Sequence, residues 1–435
     1  MDARVRRLID GAGDLLVDDR TITPAALAER VAALAQRLAG DSCRRLVIAG
    51  AEVDTPAVGL LAALSVGADA VLLRGGPVPE GLGADARLGD GDAYTPPQAG
   101  GPDAAAQAGA GAGRGEVWIA TSGTTGAPKL ARHSLDSLLG RIPAVRVAAD
   151  RRWLLTYHPA AFAGLQVLLT ALCAGAGLVA ASAGTVAALT AAAVRHAPCF
   201  ASGTPTFWRA FLTALGPDAA RVPLRRITLG GETADQGTLD RLAAAWPGAA
   251  IVHIYASTEA GALFAVKDGR AGFPAAWLED GVDGCALRIR DGVLEVRSPR
   301  AMRGYAGAGA ETPAAAGGWL VTGDAVERVG DRVLFRGRAD SVINVGGAKV
   351  RPETVEAVLL DLPMVADVRV YGRRNPITGA LVAAEVVLAP GADEAAARHA
   401  LLERARALLQ DHEVPRLVTF VPALGTGATL KKART

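Results

Sequence analysis

Thr121-Ser122-Gly123-Thr124-Thr125-Gly126-Ala127-Pro128-Lys129 follows directly on the strand-like run Glu116-Val117-Trp118-Ile119-Ala120. Glycines let the backbone turn tightly and present N–H groups, hydroxyls add donors and the lysine adds a point charge, so the segment has the chemistry to grip a triphosphate. It is not a Walker loop, in which the glycines stand about five apart before a Lys-Ser/Thr pair. Here Gly123 and Gly126 are closer, and Pro128 precedes Lys129. On this segment alone an ordinary Ser/Thr/Gly-rich surface connection reads equally well.

Three further groups lie downstream in order. The strand-like Arg226-Ile227-Thr228-Leu229 runs into Gly230-Gly231-Glu232, where small residues permit close backbone approach to a flat group. Ile254-Tyr255-Ala256-Ser257-Thr258-Glu259 offers an aromatic face with a polar tip and a hard carboxylate of the kind Mg²⁺ takes while it also holds substrate phosphates. Gly318-Trp319-Leu320-Val321-Thr322-Gly323-Asp324 is followed by Leu334-Phe335-Arg336-Gly337-Arg338-Ala339-Asp340, then Gly346-Gly347. Near the end of the sequence stands Thr429-Leu430-Lys431-Lys432-Ala433-Arg434.

In their order and spacing these segments resemble the acyl-adenylate-forming superfamily of acyl-CoA synthetases, nonribosomal adenylation domains and firefly luciferase. The resemblance runs from about residue 20 onward and is most specific at 318–350. It implies that Thr121, Ser122, Gly123, Thr124, Thr125, Gly126 and Lys129 hold the ATP phosphates. Gly230, Gly231 and Glu232 would lie against the adenine, with Tyr255 and Ala256 covering it. Thr258 would meet a phosphate, Glu259 would ligate Mg²⁺, and Asp324 and Arg338 would reach the ribose. Asp340 matches the hinge of a mobile C-terminal domain, and Lys431 the catalytic lysine that steadies charge as a carboxylate attacks the α-phosphate; Lys432 leaves that register open by one. Phe162 and Gly164 fall on the carboxylate side, with Gly230 and Ala256 as further pocket walls. The chain departs from the family at Leu130, where glycine usually continues the loop, and at Ala161, where an aromatic or histidine usually stands; His158 is nearby but out of register. It is also shorter than typical members, with the loss ahead of the phosphate loop.

The fold so implied is α/β: a large N-terminal AMP-binding domain of stacked α/β subdomains plus a β-rich subdomain over residues 1–339, and a small mobile α+β domain over 340–435. The function implied is ATP- and Mg²⁺-dependent activation of a small-molecule acid as an acyl- or aryl-AMP, with pyrophosphate released and the acyl group passed to coenzyme A. Three alternatives stay open: transfer to a carrier-protein thiol or an amine, activation of another oxyanion such as nitrite, and a non-catalytic nucleotide-binding module.

Composition agrees with a large soluble chain. The 435 residues are 50% apolar, and 46 basic against 44 acidic residues leave a net charge of +2, so no global charge points to nucleic acid or a membrane surface. Cys43, Cys173, Cys199 and Cys285 are scattered without metal-ligand spacing, which suits reduced thiols in a cytoplasm. No signal-peptide core precedes the polar turn Arg6-Arg7-Leu8-Ile9-Asp10, and Arg4, Arg6 and Arg7 read as a solvated helix face.

Between Trp153 and Val194 no Asp, Glu, Lys or Arg occurs, so a membrane span must be weighed. His158-Pro159, Gly175, Gly177 and Gly184 divide the run, which predicts strands near 153–156 and 178–181 and helices near 165–172 and 186–195. Earlier, helices at 24–38 and 56–65 alternate with strands at 45–49 and 70–74 in a βαβ rhythm. Residues 75–115 read as linker, and their Gly109-Ala110-Gly111-Ala112-Gly113 lacks the flanking strand and helix of a dinucleotide loop. The C-terminal part predicts helix 353–360, strands 365–371 and 380–388, helix 395–409 and strand 417–421.

Overall fold

The computed structural model describes all residues except 1, 51, 75–81, 83, 97–114, 122–128, 144, 149, 307–313, 316, 377 and 425–435. Among the described residues the chain builds one largely parallel sheet, one mixed sheet, an antiparallel sheet and a C-terminal α+β unit.

Short apolar runs between turn residues become the parallel strands, which are buried on both faces by helices. One sheet has eight strands, in the order Gly261–Val266, Ala250–Ser257, Arg226–Gly230, Phe200–Gly203, Arg152–Leu155, Gly177–Ala180, Leu15–Val17 and Arg20–Ile22. Its six inner strands are parallel, and both edge strands run antiparallel. The other sheet has seven strands, in the order Gly304–Tyr305, Leu130–His133, Val117–Ala120, Asp69–Leu72, Arg45–Ile48, Ala86–Leu88 and Tyr94–Thr95.

Helices Ala3–Asp10, Pro24–Gly40, Asp54–Ser65 and Phe162–Ala174 share one core with these sheets, in which Leu46, Ile48 and Ile119 of one sheet and Leu155 and Leu178 of the other are buried together. On the far face of the eight-stranded sheet, Phe207, Trp208 and Phe211 of helix Pro205–Leu215 pack with Leu154, Ile227 and Leu229. The helix starts follow local chemistry. Thr23, Thr185 and Thr204 each cap a first turn by accepting a backbone N–H, and Pro24 and Pro205 sit in that turn, where no donor is missed.

The charge-free run 153–194 resolves into strand Arg152–Leu155, helix Phe162–Ala174, strand Gly177–Ala180 and helix Val186–His196. Among the described residues no helix is long and apolar enough to cross a membrane. The linker reading of 75–115 needs correction, because Ala86–Leu88 and Tyr94–Thr95 add two strands to the edge of the seven-stranded sheet. Their two or three residues carry no periodicity of their own, and pairing with Arg45–Ile48 makes the edge. Gly109 to Gly113 lie outside the described residues.

The antiparallel sheet runs Phe273–Pro274, Arg332–Arg338, Trp319–Val329, Val293–Arg297 and Ala286–Arg290. Beyond it, strands Val365–Asn375, Gly379–Leu388 and Leu417–Phe420 pack with helices Pro352–Leu360 and Glu394–Leu408 around Val355, Leu359, Val368, Val386 and Leu401. This unit docks on the eight-stranded sheet's helices through a buried ion pair. Arg209 Nε donates to Asp367 Oδ1 at 2.8 Å, while its Nη1 lies 3.2 Å from Asp235 Oδ2. Arg209 also reaches Thr206 and Thr238 at 3.1 Å each, so its buried donors are met on several sides.

Candidate active site

Strand Val117–Ala120 pairs antiparallel with Leu130–His133, and the pair is closed by Thr121 N–H donating to Lys129 O at 2.8 Å. The triphosphate-loop candidates Ser122, Gly123, Thr124, Thr125 and Gly126 lie outside the described residues, as do Lys431 and Lys432. Leu130 is buried with Val47, Val71 and Trp118, so the side chain that replaces the expected glycine serves the core.

The strongest convergence joins three predicted residues from separate elements. Tyr255, on strand Ala250–Ser257, donates its hydroxyl to Asp324 Oδ2 at 2.5 Å. Asp324 pairs in register with Arg338 at an irregularity between the two long strands, and Arg338 Nη1 stands 3.5 Å from Asp324 Oδ1. Gly323 has φ +75°, and a Cβ there would come within 2.6 Å of the Arg338 guanidinium, so glycine lets the arginine lie across the turn. Arg338 Nη1 also donates to Thr322 O at 2.6 Å, and its Nε reaches the exposed Asp340 at 3.3 Å. The Tyr255 ring is held by Phe264 and Phe335, with centroids at 5.2 and 4.9 Å. Burial first, then the Asp324 charge, pushes its phenol well above the usual tyrosine range, which keeps it a donor.

A second group lies four residues along. Glu259 Oε1 accepts from the Tyr305 hydroxyl at 2.7 Å, and the Lys129 ammonium stands 5.4 Å from the Tyr305 ring centroid. Thr258, between the two groups, is fixed through its carbonyl, 2.7 Å from His133 Nε2. Burial lowers the His133 pKa, so the ring is neutral and its Nε2–H donates. Neither His133 nor Tyr305 was singled out from the sequence. The signal available was the place of His133 at the end of the strand-like run after the loop, and the Gly304-Tyr305 dipeptide, a glycine next to an aromatic.

The remaining predicted residues are placed as follows. Gly230 pairs with Ile254 beside Tyr255, and its carbonyl accepts from Tyr157 at 3.2 Å. Gly231 has φ +81° and is exposed, and Glu232 Oε2 accepts from Thr206 N–H at 3.1 Å, facing the helix that carries Arg209. Ala256 packs at the edge of the main core, at a register shift after Tyr255. Phe162 is buried with its ring 5.6 Å from that of His133. Gly164 is pressed against backbone, since a Cβ there would meet His158 O at 2.1 Å.

A divalent cation takes several oxygen donors that converge on one point. Among the described residues no three His, Cys, Asp or Glu converge on one point, so these residues form no all-protein cage. Glu259 Oε2 has no hydrogen-bond partner among the described residues, and the half-buried carboxylate forms no ion pair with any of them. A single carboxylate oxygen of this kind suits Mg²⁺, which keeps waters and substrate phosphates as its other ligands.

The family model described as AMP-binding enzyme matches residues 112–306, and that described as AMP-binding enzyme C-terminal domain matches 354–431. A probable 2-succinylbenzoate–CoA ligase of Mycobacterium tuberculosis is 31% identical over 288 residues, covering 63% of this chain and 71% of that protein. Among solved structures, the anthranilate CoA ligase AuaEII in complex with anthranoyl-AMP superposes with a TM-score of 0.78 at 19% identity, covering 99% of this chain and 95% of that one. A benzoate CoA ligase from Burkholderia xenovorans gives 0.77 at 21% identity, covering 99% of each chain. The fold is that of the adenylate-forming ligases, with a large N-terminal part and a smaller C-terminal one. This chain belongs to the AMP-binding enzyme family.

Proposed function

We propose that the chain is an AMP-forming acid–thiol ligase that activates an aromatic carboxylic acid and passes the acyl group to coenzyme A. The observation that carries this reading is the Tyr255–Asp324–Arg338 constellation, an aromatic face, a carboxylate and a guanidinium at one sheet edge. Tyr255 covers the adenine, and Asp324 and Arg338 meet the ribose; two acceptor oxygens suit two vicinal hydroxyls. Gly230, Gly231 and Glu232 line the base, while Thr258, Lys129 and the segment Thr121 to Gly126 take the phosphates. Phe162 and Gly164 border the acyl side.

In the first step a carboxylate oxygen attacks the α-phosphorus, the bond to the bridging oxygen breaks, and pyrophosphate leaves with its electron pair. Lys431 steadies the charge that develops there. In the second step the thiol sulfur attacks the acyl carbon, AMP departs and the thiol proton goes to solvent. Mg²⁺, held by Glu259, would neutralise phosphate charge. Holding both reactants in line converts a bimolecular encounter into an intramolecular one.

We place the boundary between the N-terminal AMP-binding domain, 1–339, and the mobile domain, 340–435, at Asp340. Support comes from its exposure and from the gap between the two matched segments. The relatives named for benzoate-type acids support the aromatic substrate class. Incubation with ATP, Mg²⁺, coenzyme A and a panel of benzoates is expected to yield AMP and an aryl-CoA thioester. Formation of ADP would overturn the reading, and acyl transfer only when a carrier-protein thiol (giving a thioester) or an amine (giving an amide) replaces coenzyme A would overturn its acceptor.

A further inference from the structure

We propose that Tyr305 is a positioning residue that sets the metal-ligating carboxylate and the phosphate-side cation together. The proposal rests on the reading of Glu259 as the Mg²⁺ ligand and Lys129 as a phosphate contact.

Tyr305 is placed by backbone before its side chain acts. Strand Gly304–Tyr305 pairs with the strand that leaves the phosphate loop, Gly304 opposite Arg132 and Tyr305 opposite Ala131. Arg303 N–H donates to Arg132 O at 2.7 Å and Ala306 N–H to Leu130 O at 2.8 Å, which extends the pairing on both sides. Met302 N–H donates to Glu259 O at 2.8 Å, so the same segment also grips the backbone of the carboxylate it serves. Gly304 has φ +134°, a backbone that favours glycine and turns the chain between these two attachments.

From this position the side chain divides its work. The hydroxyl occupies Glu259 Oε1 at 2.7 Å, which fixes the carboxylate plane and presents Oε2. The ring face lies 5.4 Å from Lys129 Nζ, within the range in which an aromatic quadrupole attracts an ammonium. Residues 129, 259 and 305 thus move as one unit, and a shift of the strand after the loop shifts the metal ligand with it. A partner that orients a ligating carboxylate typically contributes 10- to 100-fold in metal affinity, whereas a cation–π contact at a half-exposed site contributes only a few-fold.

The test uses the full chain and its Tyr305→Phe, Tyr305→Leu and Glu259→Gln variants. Mn²⁺ affinity is read by electron paramagnetic resonance in the presence of a non-hydrolysable ATP analogue, beside KM for ATP and kcat. Tyr305→Phe keeps the ring and loses the hydroxyl; it is expected to weaken Mn²⁺ binding about tenfold with KM for ATP at fixed, saturating Mg²⁺ near the wild-type value. Tyr305→Leu is expected to show the same Mn²⁺ loss plus a rise of about threefold in KM for ATP. Wild-type Mn²⁺ affinity in Tyr305→Phe, with affinity lost in Glu259→Gln, overturns the role of Tyr305 and leaves the metal assignment standing. Wild-type affinity in Glu259→Gln overturns the metal assignment itself.

Discussion

The Tyr255 hydroxyl and the Asp324 carboxylate meet at 2.5 Å although they lie 69 residues apart and on different sheets. A hydrogen bond to a charged acceptor contributes about 1.5–3 kcal/mol. Tyr255→Phe keeps the ring between Phe264 and Phe335 but frees the carboxylate that is read as the ribose acceptor. KM for ATP is expected to rise roughly tenfold with kcat within about twofold. Steady-state kinetics checks this, and an unchanged KM would separate Asp324 from the nucleotide.

The Arg209–Asp367 pair is expected to dominate the docking of the C-terminal unit. Both side chains are buried, and Arg241 supports the contact by donating to Val365 O at 3.1 Å and to Leu360 O. Asp367→Ala strands part of a buried guanidinium and is expected to cost about 3 kcal/mol. The double replacement Arg209→Met with Asp367→Leu is expected to cost less than the single change. Urea unfolding of the three chains gives the comparison.

His253 ties stability to pH. Its ring is buried against Phe335, Nδ1 has no hydrogen-bond partner among the described residues, and burial, then the Arg332 charge, lowers its pKa from 6.5 to about 4. As pH falls, the unfolded chain takes this proton first, so the native advantage is fully present above 6.5 and drains away toward 4. The loss totals ~3 kcal/mol at ~1.4 kcal/mol per unit. His133 and His158 act in the same direction, since burial lowers both. Denaturant midpoints between pH 7 and 4 should fall less steeply in His253→Asn.

Gly164→Ala drives a methyl to within 2.1 Å of the His158 carbonyl, a backbone atom that cannot rotate away. Relief requires moving the start of helix Phe162–Ala174, at a cost of about 1–3 kcal/mol. A wild-type unfolding midpoint would show that the helix start yields freely.

Much of this architecture was legible because its elements have local causes. Thr23 and Thr185 mark helix starts, and the apolar runs at 45–48 and 152–155 are strands that need only a neighbour. Helices predicted at 24–38 and 186–195 appear as Pro24–Gly40 and Val186–His196. What escaped depends on partners distant in sequence. Leu15–Val17 is a strand because Gly177–Ala180 lies beside it, and Ala86–Leu88 because Arg45–Ile48 does. The site divides the same way. Tyr255, Asp324, Arg338 and Glu259 sat in recognisable segments, whereas Tyr305 and His133 act on Glu259 and Thr258 across gaps of 46 and 125 residues. Asp367 meets Arg209 across 158, a pairing no local pattern encodes.

The central claim is that a carboxylate oxygen is joined to the α-phosphorus of ATP. Turnover of an ¹⁸O-carboxylate-labelled benzoate with ATP and coenzyme A, followed by mass analysis of the nucleotide, tests it most directly. The account predicts a single ¹⁸O in the AMP released. Label in inorganic phosphate, or an unlabelled nucleotide alongside thioester, would contradict it.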